Sequence, residues 1–349
     1  MPDLRLEVPQ FTSASEWRWV LTDGAGILAD HEVRLDPKSW QSEAFTDLDF
    51  YASWHAAPDR RASDETRIAE DLGDWIDAEV LGPAITHALA TARTRGHVTI
   101  QVGLPEALAL RPLELARIDG KSLAQQDITL VMAPAGSDAP VAKPRGERLR
   151  VLGLFSLPDG AQPANLRQAR HDLVKLIRGT GAADITVLQY GVTRDRLREA
   201  LEEGEGWDII HISGHGAPGS LLLETAAGRP DRVTAPELAE LLELARDRVK
   251  LVTIAACQSA AAADQPHDQP ERITATPAAP AASLATGLAR SLGCAVLAMR
   301  SPVTDEFAGA LTRKLYDLLV LKGRALPSAL AITLRQLAPE HPPLSAGSP

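Results

Sequence analysis

Cysteine is scarce in this chain: the 349 residues hold two, Cys257 and Cys294. Two cysteines make no disulfide framework, and the expected compartment is a reducing cytosol. Aromatic residues amount to 4%, so the core is expected to rest mostly on Ala, Leu, Val and Ile. Positive charge is in deficit, with 36 Lys+Arg against 46 Asp+Glu and a net charge of −10. That balance argues against nucleic acid as a partner, which would need a basic footprint. No apolar run approaches the ~20 residues of a membrane helix, so no membrane partner is expected. The opening MPDLRLEVPQ has neither a basic n-region nor an apolar h-region, which predicts no signal peptide. No Gly-x-Gly-x-x-Gly or Walker loop follows a strand, no Gly-x-Ser-x-Gly elbow occurs, and no internal repeat is visible. No cofactor is expected.

What the chain has is apolar residues, 45% of the total, enough for a packed core and against disorder. Its length suits two domains or one large one. Five of the six Trp fall by residue 75. Leu4-Arg5-Leu6-Glu7-Val8 and Trp17-Arg18-Trp19-Val20-Leu21 alternate apolar and polar, as half-buried strands do. Asp23-Gly24 and Ala25-Gly26 supply turn chemistry, and Ile27 to Val33 return as a partner strand. Ile68, Leu72, Trp75, Ile76 and Val80 share one helix face, and Gly82-Pro83 is expected to break or kink that helix. Val98 to Val102 and Ile128 to Met132 are predicted strands. Residues 133–147, rich in Pro and Gly, are the candidate linker.

From residue 148 the pattern becomes strand–helix alternation. Strands are expected at Leu149 to Phe155, Ile185 to Leu188, Trp207 to Ile212, Val249 to Ala255 and Ala295 to Met299. Helices are expected at about 166–178, 194–202 (capped by Thr193), from Thr234 with a Glu237 capping box, 283–292, 304–321 and 326–337. Such alternation predicts an α/β fold with a mostly parallel sheet and helices on both faces. Residues 260–282, mostly Ala and Pro, read as a surface loop, and the tail from Pro339 as linker. The expected division is a β-hairpin and helix segment over 1–96, an upstream part and linker over 97–147, a main region over 148–338 and a tail over 339–349.

Two strand ends carry the chemistry. Asp208-Ile209-Ile210-His211-Ile212-Ser213-Gly214-His215-Gly216 runs an apolar strand into a histidine between two glycines. Leu251-Val252-Thr253-Ile254-Ala255-Ala256-Cys257-Gln258-Ser259 delivers a thiol in the same way. If these strands are parallel neighbours, His215 and Cys257 leave the same edge, the edge where such folds bind ligands. A thiol near an imidazole can be activated as a nucleophile, whereas a cysteine alone is as well explained by packing. Cys294, inside an apolar stretch, reads as packing. His211, within its strand, reads as a hydrogen-bonded core histidine, and His267 as solvated. A zinc site from His211, His215 and Cys257 lacks a fourth ligand and a Cys-x-x-Cys pair, and no metal is expected.

The A-A-C-Q-S run with a histidine upstream resembles the caspase signature, Q-A-C-x-G with its histidine about 50 residues earlier. I-I-H-I-S-G-H-G, T-I-A-A-C-Q-S and L-G-C-A-V-L-A-M-R-S-P-V-T-D-E-F together resemble the CHAT family, bacterial relatives of caspases and separase. Ser301 stands where the family has Trp before Pro-Val-x-Asp. Leu110-Arg111-Pro112-Leu113-Glu114-Leu115 is similar to an upstream Pro-Trp-Glu-Leu segment. The resemblance spans about residues 97–338.

It implies a caspase-like three-layer sandwich and a cysteine endopeptidase with a His215/Cys257 dyad. The backbone N–H groups of Gly216 and Cys257 would form the oxyanion hole. Asp305 would select Arg or Lys before the scissile bond. The alternative for Asp305 is an acid placed in a helix's first turn by the dipole. The resemblance also implies a protein substrate, such as a gasdermin, cut when a sensor or regulatory partner is triggered in bacterial defence or cell death. Low basal activity is expected, because an unregulated cytosolic protease would be harmful, with the 260–282 loop as the control element, covering the cleft or being cut after Arg272 as caspase linkers are. The rival reading is a catalytically inactive, protease-like interaction module; a third is a small-molecule hydrolase or transferase using the same thiol.

Overall fold

The computed structural model describes residues 3–57, 59–134, 148–160, 166–217, 219–256, 283–300 and 303–341. By its internal contacts the chain divides into two units, Met1–Ala135 with Arg324–Ser348, and Gly136–Gly323.

In the first unit, period-two burial builds a meander of β1 (Asp3–Ser13), β2 (Glu16–Asp23) and β3 (Gly26–Arg34). Leu4 and Leu6 on β1 and Trp17, Trp19 and Leu21 on β2 point inward and are buried. The short helices α1 (Trp40–Thr46) and α2 (Leu48–His55) precede α3 (Arg61–Trp75). The break expected at Gly82-Pro83 takes the form of a π-helical turn, Ile76–Leu81, that runs into α4 (Gly82–Arg93). There the missing N–H of Pro83 falls in the first turn of α4, where it is not needed.

Strands β4 (Val98–Leu104) and β7 (Ile128–Pro134) enclose the two-residue pair β5 (Arg117–Ile118) and β6 (Lys121–Ser122). β4 and β7 add in parallel to the meander, in the order β3-β2-β1-β4-β7. The amino-terminal hairpin is thus part of a five-stranded mixed sheet. Its completion by residues 98–134 is not visible to local periodicity.

The second unit alternates β8 (Leu149–Phe155), α5 (Leu166–Thr180), β9 (Ala183–Gln189), α6 (Arg194–Glu202) and β10 (Ile209–Ser213). Then comes a small antiparallel sheet that the sequence pattern does not announce: β11 (Gly216–Ala217), β12 (Ser220–Glu224) and β13 (Pro230–Thr234). It leads into α7 (Ala235–Leu242), β14 (Leu251–Ala255), α8 (Leu284–Leu292), β15 (Ala295–Ala298) and α9 (Asp305–Tyr316). The expected caps are present. Thr193 accepts the Arg196 N–H at 3.2 Å, and Thr234 and Glu237 form the capping box. The last helix, α10 (Leu326–Leu337), groups with the first unit rather than closing the second.

The main sheet runs β15-β14-β10-β8-β9, every pair parallel. Connections run outward in opposite directions from β8 and β10, so the order reverses between them. Alternate residues serve opposite faces. Leu152, Leu154, Ile210, Ile212, Val252 and Ile254 share a core with Leu197 of α6, Leu238 of α7 and Leu288 of α8. His211 and Thr253 face the other way and bond to Tyr316 at the end of α9. At the amino end of β10, Asp208 has a fully buried side chain. It accepts from Arg248 Nη2 at 2.9 Å, Lys250 Nζ at 2.5 Å and the Arg150 N–H at 2.9 Å. Burial pushes its carboxyl up, but these donors outweigh burial and hold it below its usual range.

Candidate active site

β10 and β14 are neighbours in a parallel ladder that pairs His211 with Thr253 and ends on Ser213 opposite Ala255. Gly214 follows at a point of close approach. A Cβ there would lie 2.8 Å from the Ser156 carbonyl oxygen, so the chain leaves β10 without a side chain. His215, two residues beyond the last matched pair, is half-buried. Its carbonyl accepts the Leu222 N–H at 3.0 Å. Gly216 forms the next antiparallel pair, with Leu221. Because hydrogen-bonded and non-bonded pairs alternate, Gly216 turns its N–H away from β12. On the other strand, Ala256 is buried and is the last described residue before Cys257. Cys257, also two residues past the matched pair by number, lies outside the described residues.

Between α5 and α9, over the carboxyl ends of β10 and β14, lies a pocket of about 50 Å³. A water needs about 10–15 Å³, so the pocket holds a few atoms' worth of side chain. Small residues keep it open: Gly214, Ala255, Ala169, Ala308 and Gly309. His211 contributes from the strand. Its Nδ1 lies 2.8 Å from Thr253 Oγ1 and 3.3 Å from the Tyr316 hydroxyl, and those two oxygens are 2.8 Å apart. Burial pushes the His211 pKa down to about 4, so the ring is neutral at neutral pH. The expectation of a buried, hydrogen-bonded His211 matches this geometry.

Two carboxylates line the pocket. Asp305 is the first residue of α9, after the cap Thr304, whose Oγ1 accepts the Phe307 N–H at 3.2 Å. It occupies a helix first turn and lines the pocket at once, and it is exposed rather than buried. Asp172, on α5, was not singled out by the sequence. It is the more sheltered of the two, with its side chain 21% exposed, and it accepts from Gln168 at 2.7 Å and Arg313 at 3.4 Å. Nothing in the local pattern marks it, since acids on an amphipathic helix are ordinary.

Cys294 is buried at 6% exposure within the core on the α6–α8 side, as expected of a packing residue. Among the described residues no group of three His, Cys, Asp or Glu side chains could hold a metal ion. His267, Arg272, Ser301 and the whole 260–282 segment lie outside the described residues, as does nearly all of the 133–147 linker.

A family model for the CHAT domain matches residues 70–344. Among solved structures, the chain is similar to the complex of Porphyromonas gingivalis RgpB pro- and mature domains. The TM-score is 0.52 at 11% identity, covering 80% of this chain and 69% of that one. It is also similar to the Saccharomyces cerevisiae separase–securin complex. There the TM-score is 0.53 at 10% identity, covering 99% of this chain and 30% of that one. At such identities the likeness is one of fold, and the parallel sheet with its two helical layers is a caspase-like α/β sandwich. No curated protein matches the chain.

Proposed function

Because the chain belongs to the CHAT domain family, we propose that it is a cysteine endopeptidase whose nucleophile is Cys257 and whose general base and acid is His215. One observation carries this reading: the in-register ends of β10 and β14, which set Ser213 beside Ala255. His215 and Cys257 each follow two residues on, so equal steps lead from adjacent backbones to an imidazole and a thiol.

An ordinary thiol is only a few per cent thiolate at neutral pH. A neighbouring imidazole takes its proton and leaves an imidazolium–thiolate pair. The thiolate adds to the peptide carbonyl, and the oxyanion is met by the N–H groups of Gly216 and Cys257. The Gly216 N–H is turned away from β12, as this role requires. Collapse breaks the C–N bond, and His215 delivers its proton to the departing amine. Water, deprotonated by His215, then hydrolyses the thioester.

The pocket supports cleavage after Arg or Lys. Asp172 and Asp305 both line it, as does Arg313, which pairs with Asp172. The neutral His211 adds no positive charge, so the two carboxylates favour a substrate cation there. By family resemblance the substrate is a protein, a gasdermin or another effector, cut in a bacterial defence or cell-death response under a sensor's control.

The test is labelling with a thiol-reactive electrophile, read by peptide mass spectrometry, followed by a peptide-library cleavage screen. Cys257 should label at least tenfold faster than the buried Cys294, and His215→Ala should slow it. Cleavage should favour Arg or Lys and vanish in Cys257→Ala. Equal, slow labelling of both thiols would instead favour a non-catalytic interaction module.

A further inference from the structure

Beyond the pocket, the loops that follow β8 and β9 present two large apolar side chains to solvent. Leu157 is 41% exposed and Tyr190 is 70% exposed. β8 and β9 are parallel neighbours paired through Phe155 and Gln189. Both residues therefore leave the sheet at the carboxyl edge that also carries His215. Tyr190 sits at φ 55, in the left-handed region. A bulky aromatic is rare there, and such backbones persist only where the surroundings hold them.

The surroundings do hold it, from two sides. Arg196 Nη1 donates to the Tyr190 carbonyl and, at 3.1 Å, to the Gly191 carbonyl. The buried carboxylate of Glu224 accepts the Gly191 N–H at 2.6 Å through Oε2 and the Leu157 N–H at 3.2 Å through Oε1. One carboxylate thus ties both loops together.

Glu224 also links these loops to the strand that pairs with the histidine's backbone. It lies on β12 two residues after Leu222, whose N–H meets the His215 carbonyl. At ~3.4 Å per residue the clamp stands roughly 7 Å along that strand, the reach of about two residues of extended peptide. We infer that Leu157 and Tyr190 form an apolar subsite for a large apolar or aromatic side chain of the substrate, two or three residues from the scissile bond. This rests on the endopeptidase reading, and it adds a second specificity element independent of the basic one.

The experiment measures binding rather than turnover, with the full-length Cys257→Ala protein and fluorescent hexapeptides followed by polarisation. Each peptide carries Arg or Ala at one fixed position, and Phe or Ser at each neighbouring position in turn. Phe placed two or three residues from Arg should tighten binding five- to tenfold over Ser. Tyr190→Gly, which suits the left-handed backbone, and Leu157→Ser should each remove most of that gain while the preference for Arg over Ala persists. Phe gains lost in these variants with no Arg preference would uphold the apolar subsite while overturning the basic one. No Phe gain at any position, or a gain unchanged in both variants with wild-type melting temperatures, would overturn the inference.

Discussion

Gly309 offers a test in which stability and activity move in opposite directions. It lies inside α9, where glycine costs about 0.5–1 kcal/mol relative to alanine through backbone entropy. Packing does not require it, since a Cβ at this position would meet no atom within 4 Å. It does line the pocket, so a methyl added there is expected to take up part of the space that the substrate side chain is proposed to fill. Gly309→Ala should therefore stabilise the protein by about 0.5–1 kcal/mol, raising Tm by about 1–4 °C in a unit of this size.

The same methyl overfills the pocket when an Arg side chain enters. Overpacking by a methyl group costs about 1–3 kcal/mol, so kcat/KM for peptides cut after Arg should fall about 5- to 150-fold. Thermal melts and fluorogenic peptides on one preparation give both numbers. If Gly309→Ala melts lower than wild type, the account of the helix is wrong. If it melts higher and cleaves Arg peptides within twofold of wild type, the pocket does not take the substrate side chain.

Other consequences follow from the same geometry. Asp172→Asn and Asp305→Asn should each lower kcat/KM after Arg about 10- to 150-fold, the worth of one hydrogen bond to a charged group, with Tm little changed. A library screen with unaltered Arg preference in both would refute the acidic pocket for a basic side chain. His211 has its pKa pushed down to about 4 from an ordinary 6.5. The unfolded chain therefore binds a proton between these values that the folded chain does not. Stability is complete above about pH 6.5 and falls by up to about 3 kcal/mol as the pH drops to 4. Urea titrations of wild type and His211→Gln from pH 7.5 to 4.5 should show a flatter slope in the variant; parallel curves would refute the buried neutral ring. Gly214→Ala forces a Cβ to within 2.8 Å of the Ser156 carbonyl oxygen. It should cost about 1–3 kcal/mol in urea denaturation; an unchanged midpoint would show that the strand end yields freely.

The elements of the second unit were legible because their signals are local. Apolar runs mark β8, β10 and β14, Thr193 and the Thr234/Glu237 pair mark helix starts, and His215 and Cys257 each follow such a run by number in Gly- and Ala-rich sequence. What periodicity could not supply was partnership between distant segments. The apolar alternation of β4 and β7 predicts strands, yet nothing in residues 98–134 says that they extend the amino-terminal meander. The hairpin sheet of β11–β13 carries no local signature, because its strands are short and its residues mixed in character.

The site divides along the same line. By itself the sequence determined that β10 and β14 are apolar strands followed, two residues on in the chain, by a histidine and a cysteine, since strand identity and chain order are local and additive. Only the tertiary structure decided that β10 and β14 are in register, that α5 and α9 flank a pocket at their ends, and that Asp172 joins Asp305 there. It alone tied the loops of Leu157 and Tyr190 to one buried carboxylate. These are contacts between segments far apart in the chain, and their energy depends on which surfaces the fold brings together.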